Sequence, residues 1–406
     1  MTGDLVRCMI GTGQTQGVYI TSREGMAVVK LSSGYNIGVA ETACALIEHQ
    51  ETQDAPEPAD IRQDPTLPPV TIVSTGGTIA SRIDYRTGAV TSQFRASDIL
   101  HAIPGLSSIA RFHAVQLCNI LSENMTPAIW QQLARAVYDE IKAGAAGVIV
   151  THGTDTMAYS AAALSFMVRT PVPIVFVGSQ RSADRPSSDN LMNGLCAATA
   201  AIADLGEVVV VMHANTSDDS CVIHRGTRVR KMHTSRRDAF QSHGIPPVGT
   251  VSYPDLKISL TSDAIRRGIR TLSLADQLDD RCGLLYYYPG MDPALLSGYI
   301  GYHGLVLAGT GLGHVSGAFI TRLRDLITDG TTVVMTSQCL HGRVCDRVYD
   351  TGRDLLNAGV IEGEDMLPEC ALVKLMWALG NSDTREIAQE MMRRDLSGEI
   401  NRRSLV

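Results

Sequence analysis

Two short stretches of this chain place hydroxyl groups where a strand hands over to a turn. The first is Thr75-Gly76-Gly77-Thr78, which follows the β-branched run Thr71-Ile72-Val73. Paired glycines let the backbone approach a neighbour and adopt positive φ, so two threonine hydroxyls and several N–H groups are expected at the end of a buried strand. The second is Thr151-His152-Gly153-Thr154-Asp155-Thr156, set between the strand-like run Gly147-Val148-Ile149-Val150 and a helical stretch. A helix N-terminus there offers unpaired N–H groups, and Asp155 adds a carboxylate able to hold an ammonium or orient a lysine. Taken singly, each stretch reads equally as a tight turn or a helix cap. Together, at strand ends of one sheet, they mark the edge where open α/β sheets bind ligands.

A threonine hydroxyl is a weak nucleophile until a neighbouring base takes its proton. Two candidates follow: Tyr85, seven residues after Thr78, and Lys231, which ends the basic stretch His224-Arg225-Gly226-Thr227-Arg228-Val229-Arg230-Lys231. The three arginines would favour a neutral lysine and Asp155 a charged one, and both outcomes stay open. Alone, the same stretch describes a solvated basic hairpin.

The elements that must hold these residues can be read in outline. Residues 1–48 carry short β-rich runs (Leu5-Val6, Val18-Tyr19-Ile20, Ala27-Val28-Val29, Ile37-Gly38-Val39) separated by turn chemistry, which predicts a small β-barrel. Residues 49–69 are rich in proline and acidic side chains and read as an extended linker. From 70 to 245 strand and helix signals alternate, predicting a large domain built on a parallel sheet covered on both faces. One helix is explicit: Thr126 caps it, Pro127 opens it, Ile129, Leu133, Val137 and Ile141 line one side, and Gly144 stops it. Further helices are expected over 156–169 and 190–204. The alternation lapses over 246–280, read as a connecting segment, and resumes in a smaller C-terminal α/β domain with helices over 281–406.

Composition narrows the field. The chain has 406 residues, a net charge of -7, 44% hydrophobic and 19% charged residues, an ordinary globular profile and a poor one for gripping nucleic acid alone. No apolar run reaches the roughly 20 residues of a membrane span, and the first residues lack the pattern of a secretion signal, so a cytoplasmic protein is expected. Nine cysteines without a C-x-x-C pair point to reduced thiols and no metal site. Gly309-Thr310-Gly311-Leu312-Gly313 lacks the Lys-Ser/Thr of a phosphate loop, so ATP is not expected on this chain. Cys339 and His341, two apart on an expected strand, are poorly placed to act as a catalytic pair, and no G-x-S-x-G elbow occurs.

The pair STGGTIAS (74–81) and THGTDTM (151–157) resembles the two signature motifs of the bacterial-type L-asparaginase/glutaminase family, over about residues 70–380. The resemblance implies an asparaginase-like two-domain α/β fold with parallel sheets. It implies Thr78 as the nucleophile and Tyr85 as the tyrosine of the active-site loop. Ser122 and Glu123 would grip the substrate's α-carboxylate and α-amino groups, and Thr154, Asp155 and Lys231 would form a proton relay. The barrel and linker, the run from Gly76 to Val90, HRGTRVRKMHTSRRDAF (224–240) and GEDMLPECALVKLMWALG (363–380) are similar to a narrower branch. Its members release ammonia from glutamine or asparagine for tRNA-dependent amidation. That implies an E-type partner which carries ATP and Mg²⁺, binds Glu-tRNA(Gln) and makes Gln-tRNA(Gln). It implies no cofactor on this chain, and a homodimer core within a heterotetramer. The competing reading is a free cytosolic L-asparaginase, in which the N-terminal unit and linker would have no role.

Overall fold

The computed structural model describes residues 3–32, 35–49, 63–76, 82–83, 90–91, 96–181 and 187–403. Thr78, Tyr85 and most of the expected linker lie outside them.

The N-terminal unit consists of β1 (Leu5–Ile10), β2 (Gly13–Arg23), β3 (Met26–Leu31), β4 (Asn36–Ala40) and β5 (Cys44–Glu48). Alternation puts Val6, Cys8, Tyr19, Ala27 and Val29 on one buried face. The two-residue turn Glu24-Gly25 has positive φ at both positions, which matches the twist of a tight hairpin. The antiparallel order is β4-β3-β2-β1-β5, and no ladder joins β4 to β5 among the described residues. A β-rich unit therefore stands where a barrel was expected, and closure is not seen. One-sided alternation serves an open sheet as well as a closed one, so the sequence pattern could not tell them apart.

The large sheet begins at β6 (Pro69–Ser74), flanked by β7 (Arg111–Gln116) and β8 (Gly147–Thr151), with β9 (Ile174–Val177) and β10 (Val208–His213) beyond; these five run parallel. After β10 the direction changes. β11 (Ser220–Arg225) returns antiparallel, the chain leaves as a hairpin of β12 (Val229–Lys231) and β13 (Phe240–Ser242), then rejoins as β14 (Gly249–Ser252) and β15 (Ile258–Leu260). The sheet is thus mixed, not all parallel as expected. The reason is local: no helix crosses over after His213, and strands joined by short connections pair antiparallel. The stretch 246–280 contributes two of these strands.

Helix α1 (Pro127–Lys142) is capped by Thr126, whose hydroxyl accepts from the Ile129 N–H at 3.4 Å, and Gly144 follows it with φ +105°. Its buried side is Trp130, Leu133, Val137 and Ile141, with Ile129 only half-buried, because a strict four-residue row drifts off a 3.6-residue stripe. Helix α2 (Met157–Met167) is buried almost all round, and α3 (Asn190–Ala201) covers the other face of the sheet.

The C-terminal part carries β16 (Cys282–Tyr286), β17 (Gly304–Gly309), β18 (Thr332–Ser337) and β19 (Ile361–Glu362), an all-parallel sheet. Its helices are α4 (Gly317–Thr328), α5 (Asp350–Ala358), α6 (Pro368–Gly380) and α7 (Arg385–Arg393). One apolar core runs from the large sheet through α2 and α6 to Val306 and Val334 of the second sheet. Inside it, fully buried Lys374 of α6 meets fully buried Glu399 at 2.6 Å and donates to the Met392 and Arg394 carbonyls. Among the described residues no helix is long and apolar enough to cross a membrane, and no group of His, Cys, Asp and Glu is placed to hold a metal ion.

Candidate active site

Strands β6 and β8 are direct neighbours, with Ser74 opposite Thr151, so the two hydroxyl-rich stretches start from the same edge of the sheet side by side. Hydrogen bonds fix that edge. The N–H and hydroxyl of Thr75 both donate to the Thr151 carbonyl at 3.1 Å, and the Thr151 hydroxyl donates to Ser74 Oγ at 3.1 Å. Gly76 has φ +118°, and a Cβ there would lie 2.5 Å from the Ile120 carbonyl oxygen, so only glycine fits this close approach. The same argument applies at Gly153, where a Cβ would fall 2.8 Å from Ser122 Cβ.

His152 is buried and built into the scaffold. Trp130 Nε1 donates to Ser160 Oγ at 2.8 Å, Ser160 lies 2.8 Å from His152 Nε2, and His152 Nδ1 lies 2.7 Å from the Gly153 carbonyl. That carbonyl can only accept, which assigns the proton to Nδ1 and leaves Nε2 to accept from Ser160. Burial lowers the His152 pKa to about 4, so the ring stays neutral and orients the turn.

Lys231 supplies the contact across the site. Its Nζ donates to Thr154 Oγ1 at 2.8 Å and to Asp155 Oδ1 at 2.7 Å. The lysine side chain is only 12% exposed and the aspartate 68%, so the ammonium sits inside the wall while its carboxylate partner faces solvent. A hydroxyl, an amine and a carboxylate in mutual contact can exchange a proton and hold the resulting charge.

The basic stretch is not a solvated hairpin. Arg225 is bound by Glu207 at 2.7 Å, Arg228 is buried against Asp365 and the Gly398 carbonyl, and Arg230 Nε lies 3.4 Å from Glu369. Each arginine is thus committed to a carboxylate elsewhere, and Lys231 is the cation of this stretch that turns to the two motifs. Alternation along β12 accounts for the split between neighbours: Arg230 faces α6 while Lys231 faces Thr154. Burial raises the Glu369 pKa, an effect Arg230 opposes, and burial pushes Tyr159 beside it up to about 12.

Ser122 is buried in a single 3₁₀ turn (Ser122–Asn124), packed on Gly153, and its carbonyl accepts from the Thr156 hydroxyl at 2.7 Å. Glu123 beside it is exposed. Four of the seven candidate residues, Ser122, Thr154, Asp155 and Lys231, therefore surround one turn, and Glu123 borders it. Thr78 and Tyr85 fall outside the described residues. The roles of Ser74, Thr151 and Thr156 in tying the turns together had no signal beyond their place in the motifs. Cys339 and His341 lie past the end of β18 and not on a strand; His341 instead lies beside His243, the two rings tilted with centroids 5.5 Å apart.

The fold and this edge define a two-domain α/β protein of asparaginase type. The family model described as asparaginase, N-terminal, matches residues 69–264, and that of the glutaminase/asparaginase C-terminal domain matches residues 281–392. The L-asparaginase of Thermococcus kodakarensis has the same fold, with a TM-score of 0.73 and 32% identity over 82% of this chain and 99% of that one. A Methanosarcina mazei protein, named as the D subunit of glutamyl-tRNA(Gln) amidotransferase, is 56% identical over 98% of both chains. The D subunit of the same name from Archaeoglobus fulgidus is 55% identical over 95% of this chain and 92% of its own. The chain belongs to the asparaginase/glutaminase family and, within it, to the glutamyl-tRNA(Gln) amidotransferase D subunits.

Proposed function

We propose that this chain is the amide-hydrolysing, ammonia-donating component of an amidotransferase that converts Glu-tRNA(Gln) to Gln-tRNA(Gln). The carrying observation is the Lys231 ammonium held between Thr154 and Asp155, beside the turn that leads to Thr78. Full-length similarity to D subunits, N-terminal β unit included, favours this over a free asparaginase. In the proposed reaction Thr78 attacks the side-chain amide of glutamine or asparagine, ammonia leaves, and water then hydrolyses the acyl-threonine ester. The Thr154–Lys231–Asp155 set exchanges the protons, backbone N–H groups of the two turns hold the oxyanion, and Tyr85 closes over the substrate. Ser122 and Glu123 take the substrate's α-carboxylate and α-amino groups.

The remaining chemistry is assigned to an E-type partner in the cytosol, which binds ATP, Mg²⁺ and the tRNA, around a homodimer of this chain in a heterotetramer. The N-terminal strands close as a small barrel and dock, and the linker of 49–69 joins them to the two catalytic domains. The test is Thr78→Ala, which deletes few atoms and keeps the glycine turn. Assayed with the partner, ATP, Mg²⁺ and Glu-tRNA(Gln), it should lose glutamine-dependent amidation and retain the ammonium-dependent reaction at a comparable rate. Loss of both in an assembled variant would overturn the assignment. Full amide hydrolysis with no partner or tRNA dependence would favour the free asparaginase.

A further inference from the structure

A second concave site lies at the opposite end of α2 from the Thr154–Lys231 contact, one helix length or roughly 15 Å away. It is a cavity of about 310 Å³ where α2, the segment joining the two sheets, α6 and the C-terminal tail meet. Its walls include Ser165, Phe166, Arg169, Arg270, Trp377 and Asp395. Neither arginine side chain has a hydrogen-bond or ion-pair partner among the described residues, whereas Arg225 and Arg228 nearby are both bound to carboxylates.

Charge within the cavity is out of balance. Glu207 is committed to Arg225 and to the Ile265 N–H at 2.8 Å, which leaves Asp395 as the acid in the lining. Two guanidiniums face one carboxylate. Burial pulls the Arg270 pKa down, with Arg169 and Arg225 acting in the same direction and Glu207 and Asp395 against it. A half-buried guanidinium such as that of Arg270, left without acceptors, is costly, so a cavity that it lines together with the exposed Arg169 favours an incoming anion. In the same lining, Phe166 and Trp377 stack with ring centroids 5.9 Å apart and give it an apolar part.

We propose that this cavity binds a small phosphate-bearing molecule, its phosphoryl oxygens taken by Arg169 and Arg270 and its apolar part lying against Phe166 and Trp377. Phosphate suits the geometry better than carboxylate. The two arginines approach from different chain segments, and phosphate oxygens diverge to meet both, whereas one planar carboxylate edge is matched by a single fork. The volume lies at the lower end of the range for small-molecule sites, about 300–1,000 Å³, which admits a phosphate with a compact group attached.

Thermal unfolding of the full chain, titrated with inorganic phosphate, AMP or acetate at fixed ionic strength in KCl, tests this. Phosphate and AMP should each give a saturable rise in Tm, larger for AMP, with no such rise from acetate. Arg270→Met and Arg169→Met should each weaken the apparent affinity at least tenfold, the exposed Arg169 serving if the Arg270 variant folds poorly. Lys231→Met should leave it unchanged, which separates this site from the amidase edge whatever reaction that edge performs. No saturable effect, an equal response to acetate, or full affinity in both arginine variants would overturn the proposal.

Discussion

Two glycine-rich stretches begin at the carboxyl edges of two parallel arrays, and the polar groups described around them meet different fates. After β17, the turn Gly309–Gly313 consumes its own hydrogen-bonding capacity. The Thr310 N–H and hydroxyl both reach the His314 carbonyl, at 2.9 and 3.1 Å, and the Leu312 carbonyl accepts from Cys345 at 2.8 Å. Ser337 Oγ donates to the Gly311 carbonyl. After β6, the turn beginning at Thr75 is fixed just as firmly at its base, but the neighbouring strand continues to Thr154 and Asp155, and β12 brings Lys231 to both. Glycines let the backbone turn; whether the turn becomes a reactive edge depends on what an adjacent element delivers to it.

The contrast can be broken most sharply at Lys231. Lys231→Met should lower amide hydrolysis by about a hundredfold to ten-thousandfold, the range for losing a proton-transfer group, while circular dichroism and Tm stay close to those of the parent. Near-normal turnover would make the lysine a wall residue and remove the main difference between the two turns. Beneath the second sheet a lysine should behave in the opposite manner. Lys374→Met strands the buried Glu399 carboxylate, so denaturant unfolding should show a loss of about 3–5 kcal/mol, with kcat of the surviving folded fraction little changed.

The scaffold of the Thr151–Thr156 turn has a pH signature. His152 carries a pKa near 4 in the folded chain against an ordinary value of 6.5. Between those values the unfolded chain binds the proton and the folded one does not. The stabilisation is therefore complete above pH 6.5 and is lost as pH falls toward 4, by roughly 3 kcal/mol for this group. Unfolding free energies measured from pH 7 to 4.5 should fall accordingly, and His152→Asn should flatten part of that slope. His224, held near 3 by burial, adds a decline of the same sign, so the flattening is partial. The smallest effect is expected at the self-satisfied turn: Thr310→Ala removes one hydrogen bond and should cost about 0.5–1.5 kcal/mol with amide hydrolysis unaltered. A large loss of activity there would erase the distinction between the two edges.

Much of this was legible before any tertiary contact was known, because it is encoded over short distances. Thr126-Pro127 with Gly144 fixes a helix through cap, ring and left-handed glycine, each acting within a few residues. The alternation of apolar runs marks β6, β8, β9 and β10, and the two hydroxyl-rich motifs identify the family. Direction and closure are different in kind. The antiparallel return of β11, and whether the β4-β3-β2-β1-β5 order closes on itself, depend on which edges pair, and period-two alternation is the same in either case.

The site divides along the same line. Composition alone could present His224–Lys231 as one basic face, since charge counts carry no partners. Folding assigns Arg225 to Glu207, Arg228 to Asp365 and Arg230 to Glu369, and it carries Lys231 across a separation of 76 residues to Asp155. Those acids come from strand ends and from the C-terminal part of the chain, at separations no local pattern spans. The chain alone determined which side chains are available for chemistry; the packing of hairpin β12–β13 decided which one of them reaches the Thr154–Asp155 turn, because a buried cation takes whichever carboxylate the fold brings within reach.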